Sequence, residues 1–222
     1  TRRRSENAQD VPVAVASFGA DFIEKQGVLS TKDIVKLVPG VQFDQGFSQA
    51  DTRISIRGIN NSRGRASVAT LVDGIDISGE NVTVGGGGSL LNIRLFELER
   101  IEVVKGPQSA LYGRNAFAGA INYIPKGPNT ENYEFTVDGE VAEYDTYNLR
   151  GAVSGPIGEN FAWRFNVASF TTDGFWNNNV TGQPTNGFGQ PIDADNTQKL
   201  NGAESTGARL ALLWTPNDNL DI

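Results

Sequence analysis

The side chains that could carry out chemistry in this chain are carboxylates, lysines, tyrosines and hydroxyls, because its 222 residues include no Cys and no His. Thiolate nucleophiles, disulfides, His-based triads and Cys/His zinc sites are therefore excluded. A pair of acids could hydrolyse a glycoside, and Asp73 and Asp76 are spaced as neighbours across a turn. Nothing around them indicates a cleft, and Asp73 is better explained as a turn former. The sequence therefore predicts no catalytic residue and no enzyme.

Two further motifs could bind a ligand, but neither has the full pattern of a known site. Residues 85–88 are four consecutive glycines, and no Gly-Lys-Ser/Thr follows them as a phosphate loop requires. Residues 193–196 read Asp-Ala-Asp-Asn, which lacks the complete pattern of a calcium loop. The net charge of −7 opposes nucleic-acid binding, which needs a basic face. We expect no resident metal, no cofactor and no nucleic-acid partner.

The first half of the chain has the pattern of a mixed α/β domain whose short elements are joined by long polar connections. Ser30 and Asp33 have the spacing of a capping box, and the helix that they begin must end before Pro39. Asp73 and Gly74 form a tight-turn signal. The sequence predicts short strands at 11–17, 41–43, 53–57, 68–72, 75–77, 101–105 and 118–124, and a further short helix at 21–26.

From Tyr133 onward, the chain alternates apolar and polar residues over four long runs. A soluble sandwich would also alternate. Three features favour membrane strands: the runs have about ten residues, charge lies in mid-strand, and aromatic residues lie near the strand ends. The predicted lipid-facing residues are Tyr133, Phe135, Val137, Gly139, Val141, Tyr147, Leu149, Gly151, Val153, Phe161, Trp163, Phe165, Val167, Ala208, Leu210, Leu212 and Trp214.

The connections between these runs differ in length. Residues 155–160 and 215–219 are predicted short turns, whereas residues 173–203 form a long polar loop, which is the loop asymmetry of outer-membrane barrels. Four strands cannot close a barrel, and membrane β-structure must close to satisfy its edges. We therefore expect the chain to be part of a longer protein.

Several motifs of the first half resemble the plug signatures of the TonB-dependent outer-membrane receptors, in the family's order and at similar spacings. They are Val-Pro-Gly-Val at 38–41, Ile-Arg-Gly-Ile at 56–59, Leu-Val-Asp-Gly-Ile at 71–75, Glu-Arg-Ile-Glu-Val-Val-Lys-Gly-Pro at 99–107, Leu-Tyr-Gly-Arg-Asn at 111–115 and Gly-Ala-Ile-Asn at 119–122. The resemblance implies a mixed α/β plug domain at 1–128. Antiparallel transmembrane strands of an incomplete β-barrel follow it at 129–222.

The same resemblance implies a function. Such a receptor imports a scarce, bulky nutrient, such as a ferric siderophore, cobalamin or an oligosaccharide, across the outer membrane of a Gram-negative bacterium. The plug gates the barrel lumen and faces the periplasm. The implied partners are TonB of the inner-membrane energising complex, which pairs with a segment before Thr1, the small-molecule or metal-chelate substrate, and outer-membrane lipid. The alternative is a TonB-dependent signal transducer whose N-terminal signalling domain would also precede Thr1.

The site residues that the resemblance implies fall into two sets. Substrate contacts are expected on the apical loops of the plug, at Phe47, Gln49, Asn60, Asn61, Arg63, Arg65, Glu80 and Asn81. Ion pairs between the plug and the barrel wall are expected at Arg57, Glu99, Arg100, Glu102 and Arg114.

Overall fold

The computed structural model describes residues 14–28, 30–45, 52–59, 64–78, 80–81, 96–175, 177, 188, 190, 199 and 202–216. The chain divides into two compact units, Thr1–Gly127 and Pro128–Ile222. The sequence places its own boundary one residue later, after Pro128. Each unit is considered by itself below.

The first unit is built from short strands and helices. In chain order these are β1 (Ala14–Gly19), α1 (Ala20–Lys25), α2 (Thr31–Leu37), β2 (Val41–Gln45), β3 (Thr52–Ile56), β4 (Gly64–Arg65), β5 (Val68–Val72), β6 (Ile75–Asp76), β7 (Glu80–Asn81), β8 (Leu98–Lys105), α3 (Ser109–Tyr112) and β9 (Gly119–Pro125). A five-stranded sheet has the order β1-β8-β9-β5-β6, in which only β5 and β9 run parallel. Two smaller antiparallel pairs, β2 with β3 and β4 with β7, complete the unit.

Helix α2 packs its apolar face onto this sheet and forms the core of the first unit. The predicted capping box is present: the Ser30 N–H and hydroxyl both donate to Oδ2 of Asp33, at 3.2 Å and 2.9 Å. Ile34 is fully buried, in one cluster with Ile121 and Tyr123 of β9. The helix ends at Leu37, because the residue before a proline disfavours the α conformation.

The predicted elements of the first unit are present, and their bounds differ by a few residues. Strand β8 begins at Leu98 rather than at residue 101, since its first residues pair with β9. Strand β2 is longer than predicted and β3 is shifted by one residue, because the two strands pair with each other along their whole length. The four-residue helix α3 was not predicted; it lies in the bend between β8 and β9.

The second unit is a four-stranded antiparallel sheet in the order β10-β11-β12-β13. Its strands are β10 (Glu134–Ala142), β11 (Thr146–Ile157), β12 (Phe161–Thr172) and β13 (Ala203–Trp214). Among the described residues, β10 and β13 form the two edges of this sheet. The prediction of a mixed α/β domain followed by antiparallel strands is confirmed.

One predicted turn is wrong. Residues 155–157 continue β11 and pair with β12, so the turn contains only residues 158–160. The Gly155-Pro156 pair suggested a break in the chain. The pairing of β10 with β11 starts at Ser154, so Pro156 has no β10 residue opposite it and its missing N–H removes no bond on that side.

One face of the second sheet is apolar and exposed. Phe135 is 79% exposed, Val141 77% and Leu212 68%, whereas Ala162 and Arg164 on the opposite face are buried. Near the strand ends, Phe161 stacks on Trp214 with ring centroids 5.7 Å apart. The predicted alternation is therefore confirmed. Among the described residues, no helix is both long and apolar enough to span a membrane.

Candidate functional site

The small strand pair of β4 and β7 brings three of the predicted substrate contacts together. Arg65 lies opposite Glu80, and Gly64 lies opposite Asn81. Phe47, Gln49, Asn60, Asn61 and Arg63 lie outside the described residues. The part of the predicted site that the structure describes is thus one short hairpin-like pair with an arginine, a glutamate and an asparagine.

Hydrogen bonds fix the chain that leads into this pair. Beyond β6, the Ile77 N–H donates to the Thr70 carbonyl O at 2.9 Å. Ser78 closes the turn from both sides: its N–H donates to Oδ1 of Asp76, and its Oγ accepts the Thr70 N–H, each at 2.8 Å. Strand β7 therefore begins two residues after a segment that is held against the main sheet.

Three of the predicted ion-pair residues meet one another on β8. The Arg100 guanidinium pairs with Glu99 and, through Nε at 2.9 Å, with Oε1 of Glu102. Burial lowers the pKa of Arg100, but the hydrogen bonds and charges of Glu102 and Glu99 outweigh burial and raise it. Arg100 is therefore a fixed positive charge beside two carboxylates, within the first unit itself.

The other two predicted ion-pair residues are exposed. Arg57 has a positive φ of 53°, and its backbone N–H donates to the Gly40 carbonyl O at 2.8 Å. Arg114 lies in the bend between α3 and β9. Their partners on a barrel wall stay a prediction, as does that role for Glu99, Arg100 and Glu102.

Tyr112 lies beside the same charged group. Burial raises the pKa of its phenol, and the negative charge of Glu102 raises it further. The ring also packs against Ala69, Leu71, Ala116 and Ala120, a second small core cluster. Tyr112 thus stays a neutral hydrogen-bonding group at ordinary pH.

A cleft of about 700 Å³ lies at one end of the second sheet. Lys199 and Asp145 are 3.9 Å apart across it, and the Lys199 Nζ is 6.0 Å from the centre of the Tyr144 ring. Its lining residues are Asp145, Thr171, Thr172, Asp173, Lys199, Gly202, Ala203 and Glu204. The sequence analysis did not predict this cleft, because its lining residues come from a turn and from positions about fifty residues later in the chain.

The polar face of the second sheet carries two cross-strand ion pairs. Asp138 on β10 pairs with Arg150 on β11. Near the other end of the strands, Arg164 on β12 reaches Oε2 of Glu134 on β10 at 3.0 Å. The sequence predicted charge in mid-strand but not these pairs. The contact of Asn129 with Glu134 was missed as well, and the Pro128-Asn129 turn signal was the only sign of it.

No group of three or more His, Cys, Asp or Glu residues in the described part of the chain is arranged to hold a metal ion. Several described charged groups on strands are ion-paired, namely Arg100 with Glu99 and Glu102, Arg150 with Asp138, and Arg164 with Glu134. This arrangement suits recognition of a polar ligand and attachment to other protein surfaces.

A family model described as the TonB-dependent Receptor Plug Domain matches residues 7–120. The vitamin B12 transporter BtuB of Vibrio vulnificus (strain CMCP6) is 36% identical over 124 residues, which cover 53% of this chain and 19% of the transporter. The pesticin receptor of Yersinia pestis is 26% identical over 156 residues, 69% of this chain and 21% of the receptor. The chain thus spans about a fifth of the length of these relatives.

Solved structures are similar over almost the whole chain. The ferric yersiniabactin uptake receptor FyuA from Yersinia pestis has a TM-score of 0.75 at 22% identity, covering 93% of this chain and 29% of the receptor. The closed form of the ferric-catecholate import receptor Fiu from E. coli K12 has a TM-score of 0.66 at 22% identity, covering 96% of this chain and 26% of Fiu. At these identities the structures show a shared fold.

Proposed function

The chain belongs to the family of TonB-dependent receptors, and from this premise we propose that it forms the plug domain and first barrel strands of an active importer. The family places it in the outer membrane of a Gram-negative bacterium. The proposal rests on one observation: the same chain contains a plug domain and strands whose exposed face is apolar. A sheet of this kind matches a barrel wall in lipid.

The proposed substrate is a scarce, bulky nutrient. Ferric siderophores, cobalamin and oligosaccharides remain candidates, and the names of the relatives, a vitamin B12 transporter and a ferric yersiniabactin receptor, favour metal chelates. We propose that the substrate contacts the apical residues of the plug, including Arg65, Glu80 and Asn81. The plug then gates the barrel lumen.

The proposed energy source is TonB. It would pair with a short segment on the N-terminal side of the plug by strand addition, in which main-chain hydrogen bonds supply the affinity. Nothing in the described residues favours the alternative of a signal transducer. The relatives are transporters and receptors, and this agrees with the prediction that the chain is not an enzyme.

Uptake by the full-length receptor tests this proposal. The receptor is expressed in cells that lack their own receptors, with and without TonB, and radiolabelled ferric siderophores, cobalamin and oligosaccharides are supplied one at a time. We expect one substrate class to accumulate only in cells that contain TonB. Equal accumulation in both strains would contradict energised import. Uptake of oligosaccharides alone would contradict the metal-chelate preference.

A further inference from the structure

Only Gly127 and Pro128 separate a fixed residue of the first unit from a fixed residue of the second. Lys126 is held within the first unit: its N–H donates to the Glu97 carbonyl O at 2.8 Å, and its Nζ lies 3.8 Å from Glu97 Oε1. The Glu97 side chain is only 3% exposed, and its φ is +57°. Surrounding structure must hold a non-glycine residue in that conformation, so Glu97 is a firm point of attachment.

Asn129 is held within the second unit by its backbone and by its side chain. Its N–H donates to Ser154 Oγ at 2.8 Å, and its Nδ2 donates to Glu134 Oε1 at 2.6 Å. Its Oδ1 accepts the N–H groups of Glu131 and Asn132, at 2.9 Å and 3.0 Å. The segment before β10 is therefore folded into a turn and attached to the polar face of the sheet.

The strand register of the second sheet brings together the residues that form this attachment point. Ser154 lies opposite Glu134 on one side and opposite Arg164 on the other. Neighbouring strands lie about 4.8 Å apart, so Arg164 must cross roughly 10 Å to reach Glu134. A small serine between them leaves room for that crossing, and the Arg164 side chain is only 3% exposed. Asn129, Glu134, Ser154 and Arg164 together are called the wall anchor below.

We propose that the wall anchor and the Lys126–Glu97 contact form a short tether that keeps the carboxyl-terminal end of the plug at the barrel wall during transport. Three peptide steps from Lys126 to Asn129 span at most about 11 Å. While both contacts hold, that end of the plug cannot move farther than this from the wall. A passage must then open by rearrangement of other parts of the plug. The transport role rests on the proposed function, whereas the tether itself does not.

Hydrogen exchange on the full-length receptor in lipid tests the anchor directly. Asn129→Ala removes the acceptor for two backbone N–H groups, so we expect exchange at residues 131 and 132 to become about five- to tenfold faster. Asn132→Ala is the matched control, because it removes the same side chain nearby and leaves Asn129 Oδ1 in place. Equal exchange in the two variants would overturn the anchor. This measurement needs neither substrate nor TonB.

A variant with a longer link between Lys126 and Asn129 tests the transport role. Six Gly/Ser residues inserted between Gly127 and Pro128 leave both contacts intact and remove the limit on movement. We expect cells with TonB to become several-fold more sensitive to a large antibiotic such as vancomycin, and cells without TonB to be unchanged. The tether's role would be overturned if the insertion leaves vancomycin sensitivity unchanged in both strains while substrate uptake by the wild-type receptor is TonB-dependent. Loss of TonB dependence in wild-type uptake would instead contradict the proposed function.

Side-chain variants of the wall anchor complete the test. Arg164→Met removes the charge that holds Glu134, and Arg150→Met is its matched control, because Arg150 pairs with Asp138 on the same face, four residues along β11 from Ser154. We expect faster exchange at residues 129–132 only in Arg164→Met. Equal changes in both variants would show that general loss of charge on this face is responsible, and would overturn the anchor.

Discussion

Arg65 and Glu80 are predicted contacts of opposite charge, and their backbone positions are register partners in the β4–β7 pair. Facing opposite charges also stabilise a strand pair by roughly 0.2–1 kcal/mol, so a structural role must be separated from substrate binding. We expect Arg65→Ala or Glu80→Ala to weaken substrate binding by the full receptor about tenfold, as loss of one hydrogen-bonded charge predicts. Equilibrium binding of the identified substrate measures this.

The charge swap Arg65→Glu with Glu80→Arg separates the two roles. The swap keeps a facing pair of opposite charges, so it restores the strand pair while moving each charge away from its proposed contact. We expect binding to remain weak in the swap. The matched controls are Lys25→Ala and Glu24→Ala on α1, which remove the same charges elsewhere on the plug. Full recovery of affinity in the swap would contradict direct contact.

The buried hydrogen bond between Tyr123 and Thr31 ties β9 to α2. The Tyr123 hydroxyl donates to Thr31 Oγ1 at 2.8 Å, both residues are buried, and burial raises the pKa of the phenol. Tyr123→Phe leaves the Thr31 hydroxyl buried without this partner, so we expect a loss of about 1–3 kcal/mol in plug stability. Hydrogen exchange of β9 in the full receptor measures it.

The double variant gives the decisive comparison for this pair. Tyr123→Phe with Thr31→Val removes both polar groups, and such paired removal is often nearly neutral. We therefore expect the double variant to be more stable than Tyr123→Phe alone. Additive losses would show that the two hydroxyls do not act together. Tyr133→Phe serves as the control, because its hydroxyl bonds the Pro156 carbonyl O at an exposed site.

At the scale of the elements, local sequence signals predicted α1 and α2 well, missed α3, and predicted the strand ends less well. The Ser30–Asp33 capping box and the Pro39 stop act within a few residues, so they define α2 without knowledge of the fold. The extent of β8 depends on β9 and β1, which lie far away in the sequence. The Asn129–Ser154 contact could not be predicted, because it needs the register of β11.

Gly155 illustrates how a contact set by the strand register affects the stability of the second sheet. A Cβ at this position would collide with the ring of Tyr133, whose hydroxyl bonds the Pro156 carbonyl O at 3.0 Å. Gly155→Ala must turn the ring away and lose that bond, so we expect the barrel to lose about 1 kcal/mol. Folding of the full receptor into lipid vesicles, followed by gel mobility across a urea series, measures the change.

The sign of the Gly155 effect should reverse when the ring is absent. In a Tyr133→Ala background, alanine meets no ring and restricts the unfolded chain, so Gly155→Ala should be neutral or stabilising. The backbone of Gly155 does not have a positive φ, which permits alanine there. The same loss in both backgrounds would show that the Tyr133 contact does not matter.

At the scale of the whole molecule, period-two alternation predicted which sheet face is apolar, and family motifs predicted the plug. The alternation is strong because one face of each strand meets a single kind of surroundings along its whole length. The candidate substrate site could be predicted only as a set of loop positions. Five of its eight residues lie outside the described part of the chain, so their arrangement stays a prediction.

The last prediction concerns the apolar face of the second sheet and its effect on insertion of the entire barrel. Leu210 is 61% exposed on that face, while Ala211 points to the opposite face and lies across from Arg164. Leu210→Arg puts a charge into lipid, so we expect it to cost ~2–4 kcal/mol if the residue lies near the midplane. Ala211→Glu puts a charge beside Arg164 and should cost little, since opposite charges on facing strands attract. Urea-dependent folding of the full receptor into vesicles compares the two. Equal losses would contradict the assignment of Leu210 to the lipid face.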